Sequence, residues 1–336
     1  MNKKNTQITS LYFIVFILIL ASCGKKKPGN QETKVSEEVK KVINVPAFNA
    51  DSAYEFVKKQ VDFGPRVPNS AAHRACGDYL IETLKKFGAK VKVQEFDANA
   101  YDGTKLFLRN IIGSFNPEKK RRILLAAHWD TRHVADKDEI NPDQPIDGAN
   151  DGASGVGVLL EIARAIHSNQ APDVGIDIIF FDGEDYGVPN SYRGPISGGT
   201  TWCLGSQYWA KNKHESNYTA YYGILLDMVG AKGAQFYREG YSMEYAPNIV
   251  DKVWKEAASL GYGQFFVPIN TVEITDDHQF VNQAGIPMID IIPYDPSSPD
   301  GFFPDYHHRH KDNMDIIDKT TLAAVGETVL HTIYKE

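Results

Sequence analysis

The run Ile176-Asp177-Ile178-Ile179-Phe180-Phe181, followed at once by Asp182-Gly183-Glu184-Asp185-Tyr186-Gly187, constrains the fold more than any other stretch of this chain. A short β-branched and aromatic segment of this kind predicts a strand buried on both faces, as in parallel sheets covered by helices. Its exit is crowded with carboxylates. A solvated turn accounts for Asp-Gly and Glu-Asp as ordinary loop residues. The other reading is that one carboxylate ligates a metal while its neighbour moves protons.

The residues just beyond the other strands favour the second reading. Arg122 to Ala127 reads as a buried strand and ends in His128-Trp129-Asp130. On an extended segment His128 and Asp130 point the same way and can share one target. The loop Asp147-Gly148-Ala149-Asn150-Asp151 feeds an apolar helix from about Val156 to Ile166, where Asp151 is either a helix cap or a metal-bridging carboxylate. Tyr222 to Leu226 is a strand finishing in Asp227. Thr275-Asp276-Asp277-His278 opens a helix, and capping explains only one of its two acids. Pro287 to Ile292 is the last core strand, and its loop leads into Tyr306-His307-His308-Arg309-His310.

Before these come helices at Ala53 to Val61 and Ala72 to Phe87, broken by Gly64, Pro65 and Pro68. Strands come next at Val91 to Phe96 and Leu106 to Ile112. Trp202 to Ser206 opens a helix reaching about Asn212, after a Gly/Pro/Ser loop too long to be idle. Ile249 to Leu260 and Thr320 to Tyr334 read as helices. Strands alternating with helices predict an α/β fold: a single domain with a central, mostly parallel mixed sheet flanked by helices. Ligands bind beyond the carboxyl ends of such strands, so His128, Asp151, Glu184, Asp185, Asp227 and His308 are expected to converge. Imidazole with carboxylates suits Zn²⁺, three protein ligands leave one coordination position open, and a free carboxylate beside it can act as base.

The amino terminus carries an address. Lys3 and Lys4 precede an apolar run from Leu11 to Leu20, too short to span a membrane and suited to a secretory leader. Leu20-Ala21-Ser22-Cys23 resembles a bacterial lipobox, which implies cleavage after residue 22 and acylation of Cys23. Residues 23–45 read as a flexible tether and residues 46–336 as the catalytic domain. The expected product is an exported lipoprotein of the cell envelope, on the outer membrane and facing the periplasm. Loss of Lys3 and Lys4 with the leader takes the formal charge from −7 to −9, which excludes a nucleic-acid footprint. Cys76 and Cys203 leave a single disulfide open; a small buried hydrophobe is the simpler role for Cys203.

His128-Trp129-Asp130, Gly148-Ala149-Asn150-Asp151, Gly183-Glu184-Asp185, Leu226-Asp227, Asp277-His278-Gln279-Phe280 and His308 with Asp312-Asn313 together resemble the zinc-dependent exopeptidase superfamily. That superfamily holds co-catalytic zinc aminopeptidases and glutaminyl cyclases. Phe63-Gly64-Pro65-Arg66, Asn110-Ile111-Ile112-Gly113, the Trp202 stretch and the doubled Asp276-Asp277 look more like a bacterial glutaminyl cyclase. The resemblance implies that Asp151, Asp185 and His308 hold one zinc and that Glu184 is the general acid/base. It also implies that Asp227 and Asp276 form a proton-sharing pair, that Trp202 closes the pocket, and that His307 beside the ligand contacts substrate. The chain departs from the animal enzymes at Asp185, His307 and Asp290, where those carry Glu, Trp and His. The implied reaction converts the N-terminal glutamine of peptides or proteins to pyroglutamate with release of ammonia. The alternative is a two-zinc aminopeptidase in which Asp151 bridges the metals and His128 and Asp227 complete a second site. A non-catalytic lipoprotein that binds peptides or zinc is a third reading.

Overall fold

Alternation along the strands decides which side of the sheet each side chain covers. In β3 (Arg122–His128) Ile123, Leu125 and Ala127 join one apolar core while Leu124 and Ala126 join another. β4 (Gly175–Phe181) divides in the same way, with Ile176, Ile178 and Phe180 on the first side and Ile179 and Phe181 on the second. A strand that feeds two cores must be covered on both faces, which is what the sequence of β4 required.

The chain is described here by a computed structural model covering residues 44–196, 199–298 and 301–336. The leader, Cys23 and the tether up to residue 43 lie outside the described residues. Within them, no helix is long and apolar enough to cross a membrane.

β3 and β4 lie in a six-stranded sheet with β1 (Lys90–Asn99), β2 (Lys105–Phe115), β5 (Tyr222–Leu226) and β8 (Met288–Ile291), in the order β1-β2-β4-β3-β5-β8. β4, β3, β5 and β8 run parallel, and β1 and β2 are antiparallel additions at one edge. The expected mostly parallel mixed sheet is therefore present. Helices α1 (Ala50–Val61), α3 (Ala153–Ser168) and α8 (Lys319–Tyr334) cover the larger core. α4 (Leu204–Lys211) and α7 (Asp277–Gln283) cover the smaller one through Trp209 and Val281. α2 (Ala71–Lys86), α5 (Gly240–Tyr245) and α6 (Pro247–Ser259) complete the helical set, and β6 (Phe236–Arg238) pairs with β7 (Phe266–Asn270) in a small second sheet. β6, α5 and β7 were not read from the sequence, because they are short and, unlike β5 and β8, carry no unbroken, mainly apolar buried run.

Connections from β3 and β5 leave in opposite directions, since β3 leads through α3 to β4 on one side and β5 adjoins β3 on the other. That reversal opens a crevice at the carboxyl ends of the parallel strands, where ligands of α/β sheets bind.

Candidate active site

His128 ends β3 and is buried. Its Nε2 lies 3.0 Å from Asp151 Oδ1 and 3.1 Å from Asp227 Oδ1, so this ring ties the β3, α3 and β5 ends together. Asp130 stands 3.5 Å from His128 Nδ1. Its two oxygens are chiefly occupied elsewhere: Oδ1 accepts the Glu184 N–H at 3.0 Å and Oδ2 accepts the Asp185 N–H at 3.1 Å. Asp130 thus fixes the backbone after β4, a role that a two-residue spacing could not disclose.

Asp151 is not the cap of α3, whose N-cap is Gly152 at φ +94°. Its loop is held from outside. Asp312 accepts the N–H groups of Asn150 at 2.6 Å and Asp151 at 2.9 Å, and the buried Arg66 guanidinium donates to the carbonyls of Asp147 and Gly148. Burial raises the Asp312 carboxyl to about 7. His308, at φ +59°, projects from the last loop and brings Nε2 to 3.1 Å from Asp185 Oδ1 and 3.9 Å from Asp151 Oδ2.

These last three residues fit zinc. Ligand atoms of a tetrahedral site with bonds of ~2.0–2.1 Å stand about 3.3 Å apart, and the separations above bracket that value. Asp185 Oδ2 is buried with no hydrogen-bond partner. Burial and the adjacent Asp151 charge push the Asp185 carboxyl well above its usual range. Proximity alone groups Asp151 and His308 with His307. However, His307 Nδ1 lies 2.6 Å from Lys137 Nζ and its ring stacks on His308 at 3.7 Å, so Asp185 is the better third ligand. A second group, His128 with Asp151 and Asp227, also has the composition of a metal site.

Glu184 faces a cavity of about 250 Å³ whose wall includes Asp151, Trp202, Asp227, Asp276 and His308. Burial lifts its carboxyl well above the ordinary glutamate range, and the Asp276 and Asp185 charges add to that rise while His128 opposes it. The Trp202 ring lies parallel to His308, with centroids 5.7 Å apart, and the Arg132 guanidinium sits 4.7 Å from its centre. Trp202 therefore lines the cavity rather than merely filling space beneath its loop. His307 lines it as well.

Asp227 and Asp276 both reach the cavity, but the structure engages them differently. Asp227 takes the His128 contact, and its carboxyl is raised to about 7, chiefly by burial. Asp276 caps α7 with its own side chain, and its carboxyl lies beside Asp290 of β8 and the His278 ring, with one ligand atom of each within 4.8 Å of the others. Cys76 and Cys203 are free and buried, so no disulfide joins them. Cys203 is more than a small hydrophobe: its thiol donates to Glu184 Oε1 at 3.1 Å. Arg132, buried against Asp136 and the Asp185 carbonyl, went unread because a charged loop residue carries no signal of burial.

Carboxylates and imidazoles gathered over the carboxyl ends of a mostly parallel sheet define a metal-dependent α/β enzyme of the zinc exopeptidase class. The chain belongs to peptidase family M28, whose model matches residues 110–333. Among solved structures, Bacteroides thetaiotaomicron glutaminyl cyclase bound to N-acetylhistamine is 58% identical, with a TM-score of 0.84 over 87% of this chain and 100% of that one. Tannerella forsythia glutaminyl cyclase is 56% identical, with a TM-score of 0.83 over 87% and 100%. A Bacteroides thetaiotaomicron protein described as a leucine aminopeptidase precursor is 58% identical, with a TM-score of 0.83 over 88% and 100%. Within family M28 this chain groups with the bacterial glutaminyl cyclases, and family membership implies zinc.

Proposed function

We propose that this chain is a glutaminyl-peptide cyclotransferase that converts N-terminal glutamine of peptides or proteins to pyroglutamate and releases ammonia. The observation that carries the reading is that Glu184 shares one cavity with Asp151 and His308, under the Trp202 ring. Asp151, Asp185 and His308 would hold one zinc, which when bound would supply Lewis-acid polarisation of the substrate's side-chain amide. Glu184 accepts a proton from the α-amine as that nitrogen bonds to the amide carbon. The same carboxyl then passes the proton to the departing amide nitrogen, which leaves as ammonia. A carboxyl held above its ordinary range suits this two-way transfer near neutral pH. Trp202 and His307 wall the cavity around the glutamine side chain, Asp276 adds to the negative charge Glu184 meets, and Asp227 holds the His128 ring whose charge opposes it.

The test is mass spectrometry of a short peptide beginning with Gln, incubated with zinc-loaded protein lacking leader and tether. Loss of ammonia faster than the spontaneous background supports cyclisation. Loss of the whole first residue sinks it and favours the two-zinc aminopeptidase, for which the His128, Asp151 and Asp227 group is the specific support. Zinc content near one per chain fits the cyclase, and content near two fits the peptidase.

The leader and Leu20-Ala21-Ser22-Cys23 support an exported lipoprotein anchored through Cys23, with the domain in the periplasm at the outer membrane. Fatty-acid labelling that persists in Cys23→Ala would refute this anchor.

A further inference from the structure

β8 places one carboxyl where its neighbours are apolar. Ile289 and Ile291 face the larger core, and Asp290 shares the opposite face with Met288. Asp290 is fully buried, and neither of its side-chain oxygens receives a hydrogen from any N–H or O–H group among the described residues. The titratable groups facing it are Asp276 and His278 of α7, Asp227 after β5, and Glu239 before α5. None donates a hydrogen bond to it. His278 Nδ1, itself without a hydrogen-bond partner, stands 3.8 Å from Asp290 Oδ2, beyond hydrogen-bond length, and its Nε2 is spent on Glu239 at 3.0 Å. Glu239 is itself saturated, accepting from the backbone of Tyr241, Ser242 and Ile274 and from the Ser242 hydroxyl. Beside it lies a second carboxyl, Asp276, with an oxygen of each within 4.8 Å of the other and of a His278 ring nitrogen.

Two buried carboxyls this close are costly to ionise together, which favours a proton on one of them. Asp276 has a compensating donor, the Asp277 N–H on Oδ1, and it opens on the cavity. Asp290 has neither. We propose that Asp290 is the positioning residue for Asp276: it keeps the proton, donates it as a hydrogen bond to the Asp276 carboxylate, and so holds Asp276 ionised and aimed on the cavity wall. The inference rests on the cyclase reading for its effect on turnover. It commits to a proton rather than a cation, although His278, Asp276 and Asp290 could together accommodate a metal ion.

The proposal makes charge at residue 290 dispensable and a neutral donor necessary. Asp290→Asn preserves both shape and donor, whereas Asp290→Ala removes the donor. With zinc-loaded protein and a Gln-peptide substrate, Asp290→Asn is expected to keep kcat within about threefold of the parent. Asp290→Ala is expected to lose kcat by about thirtyfold or more with KM little changed, and zinc per chain is expected to stay constant in both. An Asn variant as impaired as the Ala variant would overturn the proposal, because an ionised Asp290 would then be required. Loss of a metal equivalent from the Asn variant would overturn it in favour of a bound cation. If Asp290→Ala does not fold, the Asn variant decides alone through thermal unfolding. A buried neutral carboxyl loses its stabilising protonation as pH rises, so the Asn variant should gain in midpoint relative to the parent between pH 5 and pH 8. A flat or falling difference contradicts the proposal. That readout stands even if the parent protein fails to cyclise glutamine, which would sink the cyclase reading by itself.

Discussion

Cys203 grips Glu184 twice: its backbone N–H donates to the Glu184 carbonyl at 2.9 Å, and its thiol donates to Glu184 Oε1 at 3.1 Å. The thiol is kept a neutral donor because burial, with the nearby Glu184 charge, pushes its ionisation well above the usual range. Cys203 itself sits at φ +58° at the entry of α4, so the loop bearing Trp202 and the Glu184 carboxylate are held by one residue.

Glu184→Gln is expected to lower kcat by ~10²–10⁴-fold, the usual worth of a positioned proton-transfer group. Zinc content should be unchanged, since Glu184 is not among the proposed ligands. Steady-state kinetics with metal analysis check this, and a variant turning over at the parental rate would remove Glu184 from the chemistry.

Asp312 is fully buried and does not line the cavity, yet it holds the backbone of Asn150 and Asp151 with both oxygens. Asp312→Ala frees the Asp151 loop and should weaken zinc binding by about 10–100-fold, as loss of a ligand-orienting partner does. A chelator competition titration measures this, and unchanged affinity would show that the loop is held without Asp312.

Gly155, near the start of α3, packs against the ends of β3 and β5. A Cβ there would run into the Leu226 carbonyl oxygen and lie 2.9 Å from Ala127 Cβ. Because the obstruction includes backbone, no rotamer change relieves it. Gly155→Ala is therefore expected to cost about 1–3 kcal/mol in urea unfolding. It should also lower zinc affinity, because Asp151 and Asp227 flank the same contact.

Glu239 supplies a pH test independent of zinc. Burial alone would raise its carboxyl, but hydrogen bonds from His278 and Ser242 together with the His278 charge bring it down to about 2. A depressed carboxyl stabilises the fold above its unfolded value of about 4.3 and loses that contribution as pH falls through about 2, on the order of 3 kcal/mol in all. Unfolding free energy of the parent should thus fall more steeply from pH 5 to pH 3 than that of Glu239→Gln. Parallel curves would contradict the assignment.

Much of the fold was legible in order along the chain. The apolar runs of β3, β4, β5 and β8 announced themselves, because a strand buried on both faces must be apolar at nearly every position. The carboxylates and imidazoles at their ends were legible for the opposite reason, since acids abutting such strands need a partner. Asp185, Asp151, His128, Asp227 and His308 come together over the parallel edge as strand order and polarity required. The pairing inside the site was not legible. Asp276 lies beside Asp290 and His278 as well as near Asp227, and Asp130 serves two backbone N–H groups.

The amino-acid sequence by itself determined which residues can be buried, where strands stop, and which chemical groups stand at those stops, because periodicity and residue type are local properties. Only the tertiary structure decided which of those groups touch. Hydrogen bonds between Asp312 and Asp151, separated by 161 residues, or between Cys203 and Glu184 across a loop, depend on the directions in which strands and helices deliver their ends. No local pattern in the chain encodes those directions.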